Sequence, residues 1–216
     1  RGTEELLELA GVPIGAVKAL IHGTTLVTNA VIERKGGPCA MITTAGFRDV
    51  LNIGVENRYD QFDMRLRYPE PLVTRALQFE VNERIGPGGD IRKPLDDAEV
   101  RRILRAVLAG GAEALAVCLL HSYVEPCHER RIKAIAQAEF PGLYVSISSD
   151  VLPFMREFER WTTTTMNAYV ARMMDAYIGR LEQGDNAGIE WRLVMQCRVR
   201  DHTADPQDVL HRGGRP

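Results

Sequence analysis

Cysteine is scarce in this sequence, and long hydrophobic runs are missing. The four cysteines among 216 residues lie far apart and form no C-x-x-C pair, which argues against a disulfide framework and a structural zinc site. The longest apolar stretch, residues 112–120, is interrupted by Glu113 and is well below the roughly 18–20 residues of a membrane helix. The first residues show no signal-peptide pattern. We therefore expect a cytoplasmic protein with no membrane partner.

The chain also lacks an excess of charge of either sign. Its 27 Lys and Arg residues nearly balance 29 Asp and Glu residues, for a formal net charge of −2, and the basic residues are scattered. This balance gives no electrostatic reason to expect a nucleic-acid partner. With 45% hydrophobic residues, the chain can bury a core in one large domain or two small ones.

Strand and helix patterns alternate along the chain. Gly86-Pro-Gly-Gly predicts a turn into a hairpin partner near Ile91, and Asp96 with Glu99 is typical of a helix N-terminus. Strands are predicted at 18–21, 39–43, 77–85, 114–120 and 143–147, and helices at 24–34, 96–109, 126–139 and 155–182. This succession indicates an α/β fold with a mainly parallel sheet.

Three of the predicted strands end in polar clusters. The first cluster is His22-Gly23-Thr24-Thr25, the second His121-Ser122-Tyr123 and the third Ser148-Ser149-Asp150. In open α/β sheets, ligands bind beyond the carboxyl ends of the strands. If these strands are neighbours, the three clusters converge on one edge and form a binding site there.

The first cluster has two interpretations. Gly23 lets a ligand approach the backbone, while Thr24 and Thr25 place hydroxyls and backbone N–H groups at a helix start, which suits phosphate or carboxylate. The alternative is that a threonine caps the helix and His22 packs on the sheet.

The histidines near residue 125 do not form a recognisable metal motif. The spacing of His121, His128 and Glu129 matches no common zinc pattern. We expect a structural role for His128 and a place at the active-site edge for His121.

The start of the last predicted helix carries Glu157 and Arg160. One interpretation is a solvated helix start, and the other places both side chains in the cleft beside Asp150. Residues 162–165 are four threonines, which are unfavourable in a helix because of their β-branching. Such a run suggests a packing or polar-contact role.

Four segments together resemble the N-terminal region of the hydantoinase A/5-oxoprolinase family. Their order and spacing agree with that family over roughly residues 1–183. The segments are IHGTTLVTNAVIERKG (21–36), ITTAGFRDVLNIG (42–54), AVCLLHSYVEPCHERR (116–131) and SSDVLPFMREFERWTTTTMNAYV (148–170). The family includes ATP-dependent N-methylhydantoinases, 5-oxoprolinases and subunits of acetone and acetophenone carboxylases.

This resemblance implies an actin-like or ribonuclease-H-like nucleotide-binding fold that uses ATP and Mg²⁺. The implied reaction is hydrolysis of a cyclic amide such as hydantoin, N-methylhydantoin or 5-oxoproline, in an oligomer with a hydantoinase B-type subunit or domain. An ATP-dependent carboxylase subunit and a non-catalytic assembly subunit remain alternatives.

The resemblance also suggests roles for the candidate residues. Residues 22–25 would bind the nucleotide. His121 would shuttle a proton, and Asp150 would position Mg²⁺ or water. The remaining candidates are Glu157 for catalysis and Arg58, Ser122 and Arg160 for substrate.

Both ends of the chain depart from the family pattern. Family members begin with a phosphate loop of the form D-x-G-G-T-F-T-D, which does not precede Arg1. Residues 197–216 form an irregular tail, as expected after a frameshift. We therefore expect a family-type region over 1–196, a separate tail over 197–216, and no activity from the chain alone.

Overall fold

The fold is given by a computed structural model. The structure describes residues 2–17, 19–55, 62, 65, 69–183 and 190–195. The chain divides into two units, of which the first comprises residues 1–28 and 187–216 and the second residues 29–186.

The secondary structure alternates as the sequence predicts. The helices are α1 (Gly2–Ala10), α2 (Leu26–Ile32), α3 (Val50–Ile53), α4 (Asp97–Ala109), α5 (Cys127–Glu139), α6 (Ser148–Val151) and α7 (Glu157–Gln183). The strands are β1 (Ala19–Thr24), β2 (Cys39–Thr44), β3 (Gln78–Val81), β4 (Arg84–Ile85), β5 (Ile91–Lys93), β6 (Ala114–Cys118), β7 (Tyr144–Ile147) and β8 (Glu190–Met195). Within the described ranges, no helix is both long and apolar enough to cross a bilayer.

The first unit contains a small parallel sheet. β1 pairs with β8, with Ala19 opposite Glu190 and Thr24 opposite Met195. The strand predicted at 18–21 therefore extends further, and His22, Gly23 and Thr24 are its last residues rather than part of a loop.

The second unit is built on a four-stranded parallel sheet in the order β3-β2-β6-β7. β6 is an inner strand, and all five of its residues are buried, which explains why its sequence is uniformly apolar. The prediction of an α/β fold with a mainly parallel sheet is confirmed.

Helices cover both faces of this sheet. On one face, a buried cluster joins alternate sheet residues such as Ile42 and Val117 to Leu104 of α4 and Ile132 of α5. On the other face lies α7, where Asn167 donates a hydrogen bond to Ser146 of β7 at 2.8 Å. The sheet thus forms the middle layer of three.

The strand predicted at 77–85 is two strands. β3 belongs to the parallel sheet, whereas β4 pairs with β5 in an antiparallel hairpin. The break falls at Asn82 and Glu83, because the Glu83 side chain turns inward and is only 2% exposed. The predicted hairpin partner near Ile91 is confirmed as β5.

The start of α4 differs in detail from the sequence pattern. Asp96 caps the helix by accepting a hydrogen bond from the Ala98 N–H at 2.9 Å. Glu99 does not complete a reciprocal capping box, since its carboxylate accepts from the N–H of Asn82 at 3.1 Å. This contact ties α4 to the end of β3 instead.

Gly36 allows α7 to approach the chain just before β2. A Cβ at this position would overlap the ring of Tyr169, and the Gly37 N–H donates to the Tyr169 carbonyl at 3.0 Å. We expect Gly36→Ala to lower the free energy of unfolding by about 1–3 kcal/mol, the usual cost of overpacking. Gly37→Ala is the matched control, since an added Cβ there meets no atom within 4 Å. Equal urea midpoints for the two variants would contradict this packing.

Candidate functional site

The strand order of the second unit marks one position at the carboxyl edge of its sheet. β3 lies on one side of β2, while β6 and then β7 lie on the other. Along the chain, β3 is added on one side of β2 and the next strand of this sheet, β6, on the other side, so the order of the strands reverses between β2 and β6. In open α/β sheets, ligands bind at the carboxyl ends of the strands beside such a reversal.

A chain of buried polar groups connects the strand ends where the strand order reverses. The Leu120 N–H, just after β6, donates to the hydroxyl of Thr44 at the end of β2, 3.0 Å away. The same hydroxyl donates to one carboxylate oxygen of Glu83. The other oxygen of Glu83 lies 2.7 Å from Nδ1 of His128 on α5. These contacts hold the ends of β2, β3 and β6 together.

A second buried network centres on Glu129 and joins the ends of β6 and β7. One carboxylate oxygen accepts from the Leu119 N–H at 2.9 Å and from the Ser148 hydroxyl at 2.7 Å. The other accepts from the Ser149 N–H at 2.8 Å. Burial nevertheless raises the pKa of Glu129 above its usual value, although these three donors oppose the shift.

Arg160 of α7 is fully buried beside the same strand ends. Its Nε donates to the Ser148 hydroxyl at 3.2 Å and its Nη2 to the Leu119 carbonyl at 3.0 Å. Nη1 donates to the Phe154 carbonyl at 2.5 Å, and the guanidinium lies 5.3 Å from the centre of the Tyr123 ring. Ser148 thus bridges the Arg160 cation to the Glu129 carboxyl group.

His121 follows β6 in a strained backbone conformation. Its φ of +54° is in the left-handed region, which a non-glycine residue adopts at a cost. Its carbonyl accepts from the Val124 N–H at 2.9 Å and the Glu125 N–H at 3.1 Å. Its Nδ1 is buried and has no hydrogen-bond partner in the described structure. Strain and an unsatisfied polar atom at a ligand-binding edge are typical of a functional residue.

Comparison with known proteins identifies the family. The profile of the hydantoinase/oxoprolinase N-terminal region matches residues 1–140. The chain belongs to this hydantoinase/oxoprolinase family.

Members of the family with curated names are similar over most of this chain. The 5-oxoprolinase of Saccharomyces cerevisiae is 33% identical over 204 residues, which covers 81% of this chain and 16% of the relative. The caprolactamase subunit alpha of Pseudomonas jessenii is 32% identical over 164 residues, covering 75% of this chain and 24% of the subunit. This chain therefore spans no more than a quarter of either relative.

Two solved structures are also similar to this chain. The ATP-dependent caprolactamase of Pseudomonas jessenii matches 90% of this chain with a TM-score of 0.80 and 27% identity. A nucleotide-free acetone carboxylase matches 87% of this chain with a TM-score of 0.78 and 28% identity. Each match covers 29% of the other chain. The hydantoinase/oxoprolinase region thus has the fold shared by these two ATP-dependent enzymes.

The structure brings together two of the three polar clusters predicted from the sequence. β6 and β7 are neighbours, so His121, Ser122 and Asp150 lie at the carboxyl edge of the four-stranded sheet. The first cluster ends β1, which pairs with β8 in the two-stranded sheet of the first unit. The convergence of all three clusters on one edge stays a prediction.

The end of β1 shows one feature of a helix cap. The Thr24 hydroxyl accepts from the Leu26 N–H at 3.2 Å, which is the capping alternative considered for this cluster. The structure places His22 and Gly23 within β1 and Thr25 between β1 and α2. Arg58 lies outside the described residues.

The other predicted residues have specific partners. Ser122 is 2% exposed, and its hydroxyl donates to the Leu119 carbonyl at 3.1 Å. Like Arg160, it directs its hydrogen bonds into the sheet edge. Asp150 is exposed and accepts from the Lys133 ammonium at 2.7 Å. Glu157 is the first residue of α7 and is partly exposed.

The described residues offer no metal centre. None of their His, Cys, Asp and Glu side chains form a group of three or more that could hold a metal ion. Asp150, the residue suggested for Mg²⁺, instead pairs with Lys133. We therefore assign no step to a metal bound by these residues.

Sequence reasoning missed Glu83 and Glu129 as organisers of the site. A signal existed for Glu129, because it lies three residues before Ile132 and seven before Ala136, on the buried stripe of α5. A carboxylate on such a stripe needs buried donors. The structural role expected for His128 agrees with its contact to Glu83.

The raised pKa of Glu129 predicts a pH-dependent stability. Between about pH 4.5 and the raised value, the folded state binds more protons than the unfolded state, so this group makes stability fall as pH rises. We expect Glu129→Gln to remove this decrease of stability with rising pH. The variant should be less stable at every pH, because the glutamine NH₂ group faces the Ser149 N–H. The free energy of unfolding, measured from about pH 4.5 to about pH 8, gives the slope.

Glu139→Gln is the matched control for that experiment. Glu139 is at the end of α5 and pairs with Arg101 at the surface, so this variant controls for replacing a glutamate of the same helix by glutamine. An unchanged slope in Glu129→Gln would show that Glu129 does not titrate as the structure indicates.

Proposed function

We propose that this chain is part of an ATP-dependent cyclic-amide hydrolase that opens hydantoin, N-methylhydantoin or 5-oxoproline-like rings. The observation that carries the proposal is the fold likeness to the ATP-dependent caprolactamase over 90% of this chain. The similarity to the yeast 5-oxoprolinase supports it further.

The chemistry explains why such an enzyme needs ATP. The carbonyl carbon of a cyclic amide is weakly electrophilic, because the nitrogen lone pair is delocalised onto it. Transfer of the γ-phosphoryl group from ATP to the carbonyl oxygen makes this carbon electrophilic, and water adds to it. The ring C–N bond then breaks as the nitrogen takes up a proton, which leaves an acyl phosphate. Water attacks the acyl carbon, so the carboxylate forms and inorganic phosphate leaves with the original carbonyl oxygen. The protein contributes positioning and electrostatic stabilisation of the transferred group.

In this proposal the candidate residues have separate roles in nucleotide binding and in proton transfer. The carboxyl end of β1, with His22, Gly23, Thr24 and Thr25, contacts the phosphates of ATP. His121 moves a proton at the reacting amide, a task suited to an imidazole near neutral pH.

The remaining candidates support the reacting groups. Asp150 orients the attacking water molecule. Glu157, at the start of α7, assists Asp150 in this role. Arg58 pairs with a substrate carboxylate. Ser122 and Arg160 act indirectly on the substrate, since their side chains fix the ends of β6 and β7.

A second subunit or domain completes the proposed enzyme. The caprolactamase relative is named as a subunit of its enzyme, and this chain spans a small part of its relatives. We propose a hydantoinase B-type subunit or domain as the partner.

The likeness to acetone carboxylase favours one alternative. In that case the same ATP chemistry would activate a ketone or bicarbonate rather than a cyclic amide. The fold is common to both reaction types, so the substrate distinguishes them.

An ATPase assay tests the proposal. The complete gene product is mixed with its hydantoinase B-type partner, and ADP release is measured with hydantoin, with 5-oxoproline, and with acetone plus bicarbonate. The partner alone is the control. Stimulation by a cyclic amide is the expected result. Stimulation only by ketone plus bicarbonate would establish the carboxylase alternative, and no ATPase activity would favour a non-catalytic assembly subunit.

A further inference from the structure

Arg84, the first residue of β4, lies beside the carboxyl edge of the four-stranded sheet. Its Nη2 donates to the Ala45 carbonyl at 3.5 Å. Ala45 follows β2 directly, and the hydroxyl of the preceding Thr44 accepts from the Leu120 N–H at 3.0 Å. Since His121 comes directly after Leu120, the Arg84 guanidinium and His121 both adjoin the joined ends of β2 and β6.

The hairpin that carries Arg84 is held in place from two sides. Glu83, the residue before Arg84, is anchored by its buried carboxylate in the polar chain that connects the strand ends. At the hairpin turn, a Cβ added to Gly89 would lie 3.3 Å from a methyl group of Val124, in the turn that follows His121. The backbone position of Arg84 is therefore fixed without a ligand, which lowers the entropic cost of binding one.

Most of the N–H groups of Arg84 have no partner. A guanidinium has five such donors, and the described residues accept only from Nη2, over a long distance. Nε and Nη1 are nevertheless not enclosed by protein atoms. The side chain is half-buried, with its guanidinium carbon 5.0 Å from the centre of the Phe47 ring. A ligand can therefore reach these donors at a place where water screens charge less than at an exposed surface.

Two other cations at this edge already have partners. Lys133 donates to the Asp150 carboxylate at 2.7 Å, and all three nitrogens of Arg160 donate to oxygen atoms of the fold. A guanidinium with unused donors favours an oxyanion, because its planar fork matches two oxygens of a carboxylate or phosphate. The Glu80 carboxylate, which accepts from the Gly46 N–H just after β2 at 2.7 Å, opposes a multiply charged group such as a triphosphate. The charge at this edge therefore suits a monoanion.

We propose that Arg84 binds a carboxylate carried by the cyclic amide, as in the 5-oxoproline anion, and so places the ring at the edge beside His121. The inference rests on the proposed function and concerns its specificity: rings with a carboxylate bind more tightly than uncharged rings of the same size. It adds a second arginine to the carboxylate-binding role given to Arg58. The Phe47 ring supports the guanidinium from one side, and the ligand pairs with the unused N–H groups.

Equilibrium binding to the complete gene product and its partner tests this contact without requiring turnover. Isothermal titration compares 5-oxoproline with 2-pyrrolidone, which has the same ring without the carboxylate. The unmodified protein should bind 5-oxoproline about 10- to 100-fold more tightly, the range of one hydrogen bond to a charged group. Arg84→Gln should remove this preference. Arg84→Lys, which keeps the charge but not the planar fork, should retain part of it.

Arg92→Gln is the matched control. Arg92 lies on β5 of the same hairpin and pairs with Asp90 at 3.1 Å, so this variant should keep the wild-type preference. Because Arg84 makes one long hydrogen bond, Arg84→Gln should unfold near the wild-type urea midpoint. An unchanged midpoint shows that the variant has lost a ligand contact rather than its fold.

Three outcomes would overturn the proposal. These are an unmodified protein that does not bind 5-oxoproline more tightly than 2-pyrrolidone, an unchanged preference in Arg84→Gln, and weaker binding of ATP rather than of 5-oxoproline in Arg84→Gln. The last outcome would assign the guanidinium to a phosphate. The site and the proposed function can fail separately. Preferential 5-oxoproline binding without ring-stimulated ATPase activity would retain the site alone. Ring-stimulated ATPase activity whose KM for 5-oxoproline is unchanged by Arg84→Gln would retain the function alone.

Discussion

Replacing Arg160 by methionine should lower the free energy of unfolding by about 3–5 kcal/mol, the range for removing one partner from a buried charge network. The guanidinium is fully buried, and it satisfies the Leu119 and Phe154 carbonyls as well as the Ser148 hydroxyl. Methionine fills part of the space but donates no hydrogen bond. It also leaves the nearby Glu129 carboxyl group without its balancing cation.

Urea unfolding of the chain measures this effect, and Arg156→Met is the matched control. Arg156 lies one turn earlier, is largely exposed, and pairs with Glu159 at 3.5 Å. Surface pairs of this kind contribute about 0–1 kcal/mol, so the control should unfold near the wild-type midpoint. If the two variants were equally stable, Arg160 would not be holding the strand ends together.

Replacing His121 by asparagine should reduce kcat of the complete enzyme about 10²- to 10⁴-fold, the usual contribution of a positioned acid–base group. Asparagine accepts the left-handed backbone better than most residues. The turn formed by the His121 carbonyl with the Val124 and Glu125 N–H groups should therefore persist, and the loss should be chemical rather than structural.

Tyr123→Phe is the control for that measurement. The Tyr123 ring lies 6.1 Å from the His121 ring and beneath the Arg160 guanidinium, and phenylalanine keeps both ring contacts. We expect activity near the wild-type level for Tyr123→Phe and an unchanged urea midpoint for both variants. A His121→Asn enzyme within a few-fold of wild-type kcat would remove His121 from the proposed mechanism.

The parts of the fold that depend on local pattern were predicted well. β6 was recognisable because a strand buried on both faces is uniformly apolar. α4 was recognisable because Val100, Ile103, Leu104 and Val107 form one buried stripe behind an Asp96 cap. In these elements the tertiary contacts reinforce the local preference.

The errors arise where distant partners decide the local structure. The predicted strand 77–85 is interrupted because Glu83 contacts Thr44, 39 residues away, and His128, 45 residues away. Asp96 and Glu99 correctly predicted the start of α4, but the bond of Glu99 to Asn82 across the fold was not predicted. Neither partner can be identified from spacing along the chain.

The candidate site could also be predicted from the sequence only in part. The position of His121 after a buried strand indicated the sheet edge, and the neighbouring β7 brought Asp150 to that edge. The pairing of β1 with β8, which extends β1 to Thr24, joins segments far apart in the sequence and could not be predicted from local pattern. The +54° φ of His121 and its unsatisfied Nδ1 are properties of the folded chain and leave no mark in the sequence.

The central claim, that ATP activates the carbonyl oxygen of a cyclic amide, is tested most directly with an isotope. The complete enzyme and its partner are supplied with ATP and with hydantoin or 2-pyrrolidone carrying ¹⁸O in the amide carbonyl, and the released phosphate is analysed by mass spectrometry. The account predicts ¹⁸O in inorganic phosphate in proportion to ring opening, because the phosphoryl group bonds to that oxygen. Ring opening with all the label retained in the carboxylate product, or without ATP consumption, would contradict it.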